Sequence, residues 1–229
     1  MIHIKTADCL VEMRQMHDNE FDLAIVDPPY FDGPQKLGFY GAQCSKTGVR
    51  RNGYKKLGQW NVPTCEYFHE LFRVSEHQII WGVNYFTDQA FSPGRIIWDK
   101  CNEATTYSDC EIAFCSKIKH VKKFTYMWSG MMQGKSITQG HLQRGNKKTN
   151  EKRIHPTQKP VDLYKWLLTT FSATGQKVLD THVGSGSIAI ACHDLGINLT
   201  GFEIDPEYRD AAVRRLKNHQ AQMQLVLAH

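Results

Sequence analysis

Leu23-Ala24-Ile25-Val26 is an unbroken apolar run, and Asp27-Pro28-Pro29-Tyr30 follows it directly. A strand with no polar alternation is one covered on both faces, as in a parallel sheet between two helical layers. Two prolines cannot extend a sheet ladder, so the chain must leave the sheet at this point. A carboxylate, a fixed turn and an aromatic ring are thereby gathered at the carboxyl end of a strand. Open α/β sheets bind their ligands at that edge.

The grouping suits chemistry on an exocyclic amine of a flat ring. Such an amine is a poor nucleophile because its lone pair is delocalised into the ring. Two acceptors aimed at its N–H groups draw the nitrogen toward tetrahedral geometry. The Asp27 side chain supplies one acceptor and the Pro28 carbonyl the other. Tyr30 can stack on the ring face, worth about 1–3 kcal/mol per base. An alkylated amine is cationic and acidic, so an ordinary carboxylate or water can take its proton. The plain alternative is a strand ending in an Asp-Pro turn, a common turn starter.

A second site lies in the C-terminal third. Val178-Leu179-Asp180-Thr181-His182-Val183-Gly184-Ser185-Gly186-Ser187-Ile188-Ala189 reads as strand, glycine turn and helix. The helix, 187–195, ends near Gly196, a natural stop. The strand Leu199-Thr200-Gly201-Phe202 follows, then Glu203-Ile204-Asp205-Pro206. Pro206 suits the first turn of a helix over 206–223.

Gly184-x-Gly186-x-x-Ala189 also matches the dinucleotide fingerprint, with Glu203 placed for a ribose hydroxyl. A dinucleotide-binding oxidoreductase is therefore a competing reading from another class. Against it, Asp180 and Thr181 stand between strand and glycines, where a carboxylate would face a pyrophosphate. A ligand carrying an ammonium and a sulfonium suits that carboxylate better, with the helix N-terminus left for a ligand carboxylate.

Taken together, these blocks resemble the S-adenosylmethionine-dependent DNA amino-methyltransferases of the N6-adenine/N4-cytosine group. The tetrad comes first and the glycine loop near the C-terminus, the β-class order. The resemblance spans nearly the whole chain, from Ala7-Asp8-Cys9-Leu10 to the last helix. It implies an α/β fold: a single Rossmann-like class I methyltransferase domain over 1–229. Its sheet should be mostly parallel, with an antiparallel hairpin strand and circularly permuted motif order.

Carried over by residue, the resemblance assigns Asp27, Pro28, Pro29 and Tyr30 to catalysis. Asp180, Gly184, Ser185 and Gly186 form the cofactor loop. Glu203 binds the cofactor ribose and Ile204 packs on its adenine. Asp8 accepts from the cofactor's exocyclic amine, with Cys9 beside it. Thr157, Gln158 and Lys159, in the block His155-Pro156-Thr157-Gln158-Lys159-Pro160, lie near the methionine carboxylate. Relatives usually carry Asp-Pro-Phe before the glycines; here Asp180 is followed by Thr181-His182-Val183. His182 in that loop is expected to be a polar filler. The blocks Ile79–Phe86 and Ile97–Lys100 resemble connecting blocks of related phage and bacterial enzymes.

The implied reaction is transfer of a methyl group from S-adenosylmethionine to N6 of a flipped-out adenine in double-stranded DNA. N4-cytosine methylation is the nearest rival, a branch that more often carries Ser in place of Asp27. Unstacking the target base costs a few kcal/mol. In-line attack on the sulfonium methyl then depends mainly on positioning. Neither a metal nor a covalent intermediate is called for.

Charge distribution bears on the nucleic-acid partner. The net charge of +5 is modest. Segment 31–60, however, carries Lys36, Lys46, Arg50, Arg51, Lys55 and Lys56 against Asp32 alone. Segment 133–155 carries Lys135, Arg144, Lys147, Lys148, Lys152 and Arg153 against Glu151 alone. Both read as long polar loops, either solvated surface or arms closing on DNA phosphates. The DNA contacts are assigned to Lys36, Arg50, Arg51, Lys55, Lys56, Arg144, Lys147 and Lys148. So short a chain leaves recognition to these loops, to a partner or to a homodimer.

The remaining features set bounds. At 229 residues with 41% hydrophobic content, one domain with an adequate core is expected. No apolar run is long enough for a membrane span, and Met1-Ile2-His3-Ile4-Lys5 begins a strand rather than a leader. Seven cysteines (9, 44, 65, 101, 110, 115 and 192) include no C-x-x-C pair, which points to a reduced cytoplasmic setting, bacterial or phage-encoded.

Local patterns place strands at 2–5, 22–26, 79–81 and 96–98, and helices around 9–16, 64–74 and 161–172. Residues 111–115 and 123–128 look like a hairpin pair. Trp81, Trp98 and Trp128 read as core or pocket wall.

Overall fold

The computed structural model describes residues 1–30, 53–54, 60–101, 108–129, 132–134 and 150–227. Ten strands and five helices are described: β1 (Ile2–Thr6), α1 (Cys9–Met13), β2 (Leu23–Val26), α2 (Cys65–Val74), β3 (Gln78–Trp81), β4 (Arg95–Asp99), β5 (Cys110–Cys115), β6 (Val121–Thr125), β7 (Trp128–Ser129), β8 (Met132–Gln133), α3 (Val161–Phe171), β9 (Lys177–Asp180), α4 (Ser187–Asp194), β10 (Asn198–Glu203) and α5 (Pro206–Leu227). Eight strands form one sheet in the order β1-β10-β9-β2-β3-β5-β4-β6, and β7 and β8 form a small ribbon.

The apolar runs are double-faced, as the absence of polar alternation requires. Leu23 and Ile25 of β2, with Ile79 and Trp81 of β3, face the layer of Leu163, Leu167 and Ile188 from α3 and α4. Ala24, Val26 and Ile80 face the opposite layer of Met13, Phe68 and Leu71 from α1 and α2. All four β2 residues are buried.

Strand order sets the position of the site. From β9 the chain passes through α4 to β10 on one side; from β2 it passes through α2 to β3 on the other. β2 and β9 are parallel neighbours, with Leu23 opposite Val178 and Ala24 opposite Leu179. The order therefore reverses between them, and the crevice at their carboxyl ends is the topological switch point. β1 pairs in parallel with β10, so the first strand of the chain lies beside the last.

One pairing differs from the sequence reading. β5 and β6 are not a hairpin: β4 lies between them, antiparallel to β5 and parallel to β6. The short link 116–120 crosses the start of β4 instead. Gly94 permits the crossing, because a Cβ there would strike the carbonyls of Cys115 and Ile118. Cys115 N–H donates to Gly94 O at 3.1 Å, and Arg95 N–H to His120 O at 3.1 Å. β5 alone runs against the rest of the sheet.

Helix ends follow local chemistry. Asp8 caps α1 by accepting from Leu10 N–H at 2.9 Å. That helix ends at Met13 rather than 16, because Gln15 and Met16 donate to Glu12 and Met13, the tighter i→i+3 pattern. Asp205 accepts from Glu207 and Tyr208 N–H groups ahead of α5, which begins at Pro206 as expected and runs four residues past 223. The first N–H of α3, Val161, is satisfied by the distant Glu151 at 2.9 Å.

Candidate active site

Asp27 leaves β2 where the two prolines end the strand. Its side chain is 15% exposed, and its Oδ2 accepts from Lys159 Nζ at 2.5 Å. Lys159, itself 4% exposed, also reaches Glu111 Oε2 at 2.9 Å. Glu111 in turn pairs with Lys100 at 3.3 Å. Asp27 Oδ1 is buried and has no hydrogen-bond partner among the described residues. Burial raises the Asp27 pKa, with the Lys159 ammonium opposing that rise. Burial would neutralise Lys159, but Asp27 and Glu111 outweigh it and keep the ammonium charged. Glu111 is held ionised by Lys159 and Lys100 despite its own burial.

Tyr30 stacks on Tyr85, ring centroids 4.8 Å apart and planes 9° apart. Phe86 meets its edge at 6.5 Å. Gly82 (φ 73°) makes room for this ring: a Cβ there would run into it. Tyr85 sits in a short 3-10 turn, Val83–Tyr85, and is 48% exposed.

Across the crevice, Asp180 ends β9 and is 1% exposed. Its Oδ1 accepts from His182 N–H at 2.9 Å. Burial pushes its pKa up to about 8. Gly184 and Gly186 both take positive φ, 52° and 73°, which favours glycine. A Cβ on Gly186 would also lie 2.9 Å from that of Ala212, so α4 and α5 could not approach as they do. Glu203 secures the loop: Gly184 N–H donates to Oε2 at 2.9 Å and Asp205 N–H to Oε1 at 3.0 Å. Each oxygen keeps a lone pair for a ribose hydroxyl. Ile204 is 46% exposed at the same edge.

Ser185 is buried, its hydroxyl 3.1 Å from that of Ser187. Its carbonyl accepts from Arg215 at 3.0 Å, and Arg215 pairs with Glu151 at 2.8 Å. Ser185 thus ties the loop to α5.

Thr181-His182-Val183, where relatives carry Pro-Phe, is packed rather than loose. Thr181 Oγ1 shares hydrogen bonds with Tyr67 OH at 2.6 Å and His182 Nδ1 at 2.9 Å. The His182 ring meets Tyr67 at 5.7 Å and approaches Cys9 Sγ at 4.0 Å. Burial drives His182 down to about 4, so it is neutral at pH 7. Burial, with Asp8 adding, pushes the Cys9 thiol up to about 12. His182 is therefore a packing residue on Tyr67 as well as a polar filler.

The block 155–159 divides in a way its sequence does not reveal. Thr157 stays on the glycine-loop side, its Oγ1 3.1 Å from His155 Nδ1, while His155 packs beside Gly184. Gln158 is turned to structural use: its Oε1 accepts from Ile154 N–H at 2.9 Å and its carbonyl from Trp128 Nε1 at 2.9 Å. Lys159 crosses to Asp27. The side chains of these three neighbours thus have three separate partners: His155, Ile154 and Asp27. Asp8 has likewise committed one oxygen to capping α1, leaving the other for a ligand.

Glu111 and Tyr85 were not singled out from the sequence. One signal was available for Glu111: it is the sole acid in the otherwise apolar stretch Glu111-Ile112-Ala113-Phe114-Cys115. Tyr85 carried none beyond its place in the block Ile79–Phe86.

The DNA assignments Lys36, Arg50, Arg51, Lys55, Lys56, Arg144, Lys147 and Lys148 lie outside the described residues. The ends of the second basic segment are anchored. Gln133 and Glu151 exchange hydrogen bonds at 2.8 and 3.1 Å, and Arg153 lies 4.4 Å over the Trp128 ring. Among the described residues one cluster, His193, Asp194 and His219, has metal-ligand spacing. Asp194 is already paired there with Lys165 at 2.7 Å. Cys9, Cys65, Cys110, Cys115 and Cys192 are free thiols, and no described helix is long and apolar enough to cross a membrane.

Comparison with known proteins bears on this pair of facing carboxylates. Residues 21–214 match the N6/N4 methyltransferase family, described as DNA methylase. The chain belongs to this DNA methylase family. The Type II methyltransferase M.HinfI of Haemophilus influenzae is 24% identical over 254 residues, covering 93% of this chain and 68% of its own. The fold of TTHA0409, a putative DNA modification methylase of Thermus thermophilus solved with S-adenosyl-L-methionine, matches with a TM-score of 0.56 at 15% identity, over 96% of this chain and 94% of that one. PvuII DNA methyltransferase, cytosine-N4-specific, matches with a TM-score of 0.52 at 12% identity, over 93% and 85%.

This DNA methylase uses S-adenosylmethionine as methyl donor, and the oxidoreductase reading of the glycine loop is set aside. The residues fit the donor. Asp180 is a buried carboxylate with no ion pair among the described residues, the Lys159 charge acting on it without a direct contact, and a ligand cation beside it would oppose the burial that lifts its pKa.

Proposed function

We propose that this methylase transfers a methyl group to N6 of a flipped-out adenine in double-stranded DNA, as the modification enzyme of a Type II restriction-modification pair. The observation that carries the reading is Asp27 Oδ1, a buried carboxylate oxygen with no partner among the described residues, in the crevice between β2 and β9. An unmatched buried acceptor is costly, and an exocyclic amine supplies the missing donor. N4-cytosine methylation uses the same acceptors and is the alternative outcome of the test.

Placement around the crevice supports the following roles. The donor supplies an electrophilic methyl group. Asp27 and the Pro28 carbonyl accept from the target amine, and Tyr30 offers its ring face to the base. Pro28 and Pro29 fix the turn that aims them. Asp180 holds the cationic end of the donor. Glu203 takes its ribose, Ile204 and Cys9 flank its adenine, and Asp8 accepts from the adenine amine. Thr157, Gly184, Ser185 and Gly186 shape the pocket for the methionine end. The basic stretches of 31–60 and 133–155 contact phosphates as arms of a single domain over 1–229. The enzyme acts on DNA in a bacterial cytoplasm without a metal, with a second copy of itself as a candidate partner.

The test is tritiated methyl transfer from S-adenosylmethionine into unmethylated duplex DNA, with the labelled nucleoside identified as N6-methyladenine or N4-methylcytosine after digestion, and thermal-shift assays alongside. Transfer with protection by S-adenosylmethionine but not NAD is expected. Protection by NAD alone, with no label in DNA, would refute the reading.

A further inference from the structure

Buried charges are costly unless each is paired, so a chain of four charges around the buried Lys159, its other members partly buried, calls for a use. Lys159 Nζ lies 2.5 Å from Asp27 Oδ2 and 2.9 Å from Glu111 Oε2. Lys100 closes the chain at 3.3 Å from Glu111. The Trp81 ring lies 5.5 Å from the Lys159 ammonium. Two carboxylates and two ammoniums balance.

The division of labour within Asp27 is the informative part. One oxygen is bound by Lys159, and the other is buried without a partner among the described residues. A carboxylate with both oxygens in solvent rotates and titrates freely. This one is held by one edge, so Oδ1 is presented as an acceptor in a fixed direction. Glu111 in turn fixes the ammonium, which would otherwise bend its flexible stem toward any anion in the crevice, the donor's carboxylate included.

We propose that Lys159 and Glu111 are positioning residues for the tetrad carboxylate: Lys159 holds Asp27 by Oδ2 as an oriented anion, and Glu111 holds Lys159 in that place. The proposal rests on the reading of Asp27 as the acceptor for the target amine. It assigns Lys159 to the acceptor half of the site rather than to the methionine carboxylate.

Other ionisable groups also face Asp27. Tyr164 of α3, Asp180 of β9, Tyr67 of α2 and Tyr30 itself all interact with it electrostatically. Lys159 is the cation paired with it, and Glu111 the acid that shares that cation. Their removal therefore has opposite signs. Without Lys159, Asp27 loses its favourable charge and its pKa rises. Without the Glu111 charge, Asp27 loses a like charge and has Lys159 to itself, so its pKa falls.

The experiment follows the Asp27 carboxyl carbon by NMR through a pH titration of the full chain, assigned with Asp27→Asn. Lys159→Met is expected to raise the midpoint by about 1–3 units and Glu111→Gln to lower it. Lys159→Arg should return the midpoint toward wild type, and it keeps the test open if Lys159→Met does not fold. In parallel, Lys159→Met should reduce single-turnover transfer at saturating S-adenosylmethionine by about tenfold or more, with donor affinity within about threefold of wild type. Unmoved midpoints would overturn the proposal. So would lost donor affinity with an intact saturated rate. A wild-type enzyme that labels no DNA would refute the proposed function, while the titration would still decide the positioning role.

Discussion

The ring of Tyr30 lies parallel to that of Tyr85 at 4.8 Å, so the tetrad aromatic is one member of a two-ring stack. Tyr85 is half-exposed and sits on a tight turn. It sets the plane of the Tyr30 ring, the one that a flipped base would meet under the proposed function. An aromatic pair of this kind is worth about 0.5–1.5 kcal/mol beyond its burial. Tyr85→Ala should therefore weaken transfer to DNA by about twofold to tenfold, with Tyr85→Phe near wild type and donor affinity unchanged. Single-turnover kinetics on duplex DNA will show this, and an equal loss in the Phe variant would assign the effect to the hydroxyl instead.

Gly82 is the hidden support of the same ring. Any side chain there meets a positive φ and the body of Tyr30. Gly82→Ala should cost about 1–3 kcal/mol of stability and reduce DNA methylation by more than it reduces donor binding. Thermal melts should fall by about 2–4 °C per kcal/mol for a chain of this size. A variant with wild-type melting and transfer would show that Tyr30 can move aside at no cost.

If Asp180 holds the donor cation as proposed, donor binding should depend on pH. Its folded pKa, about 8, lies above the unfolded value of about 4, so the native state binds the extra proton. The stability contribution of this group therefore falls as pH rises from about 4 to about 8 and is level beyond. A cationic donor favours the ionised form, so affinity should rise over the upper part of that window with release of a proton. S-adenosylmethionine should raise the melting temperature more at pH 8 than at pH 6. Asp180→Asn should stabilise the free enzyme at pH 8 and flatten this dependence. Equal shifts at both pH values in wild type would place the donor cation elsewhere.

The basic stretches carry a separate expectation. Replacing Arg144, Lys147 and Lys148 by Ala should weaken binding to all duplexes alike. The slope of log affinity against log salt should shrink by about 0.9 for each phosphate that is no longer neutralised. Filter binding across a salt series measures this, and an unchanged slope would remove these residues from the DNA interface.

Which parts were legible in the sequence follows from the range of each interaction. Leu23–Val26 with two prolines behind it, and the glycine turn after Asp180, are written in adjacent residues, and both lie where local chemistry puts them. The route of β4, β5 and β6 was not legible. Residues 111–115 and 123–128 look like a hairpin because they are close in sequence, yet β4 inserts between them through Gly94, a contact no local pattern encodes. Lys159 shows the same limit. Its ion-pair partner Asp27 lies 132 positions away, a contact that its own block does not encode. Gln158, adjacent to it, is turned by its own loop to Ile154 and Trp128.

The most direct measurement is nucleoside mass spectrometry of unmethylated duplex DNA incubated with S-adenosylmethionine and either the wild-type enzyme or Asp27→Asn. We predict N6-methyladenine from wild type and none above background from the variant, whose donor affinity is retained. N4-methylcytosine from wild type would contradict the adenine assignment, and undiminished product from Asp27→Asn would contradict the role given to the tetrad carboxylate.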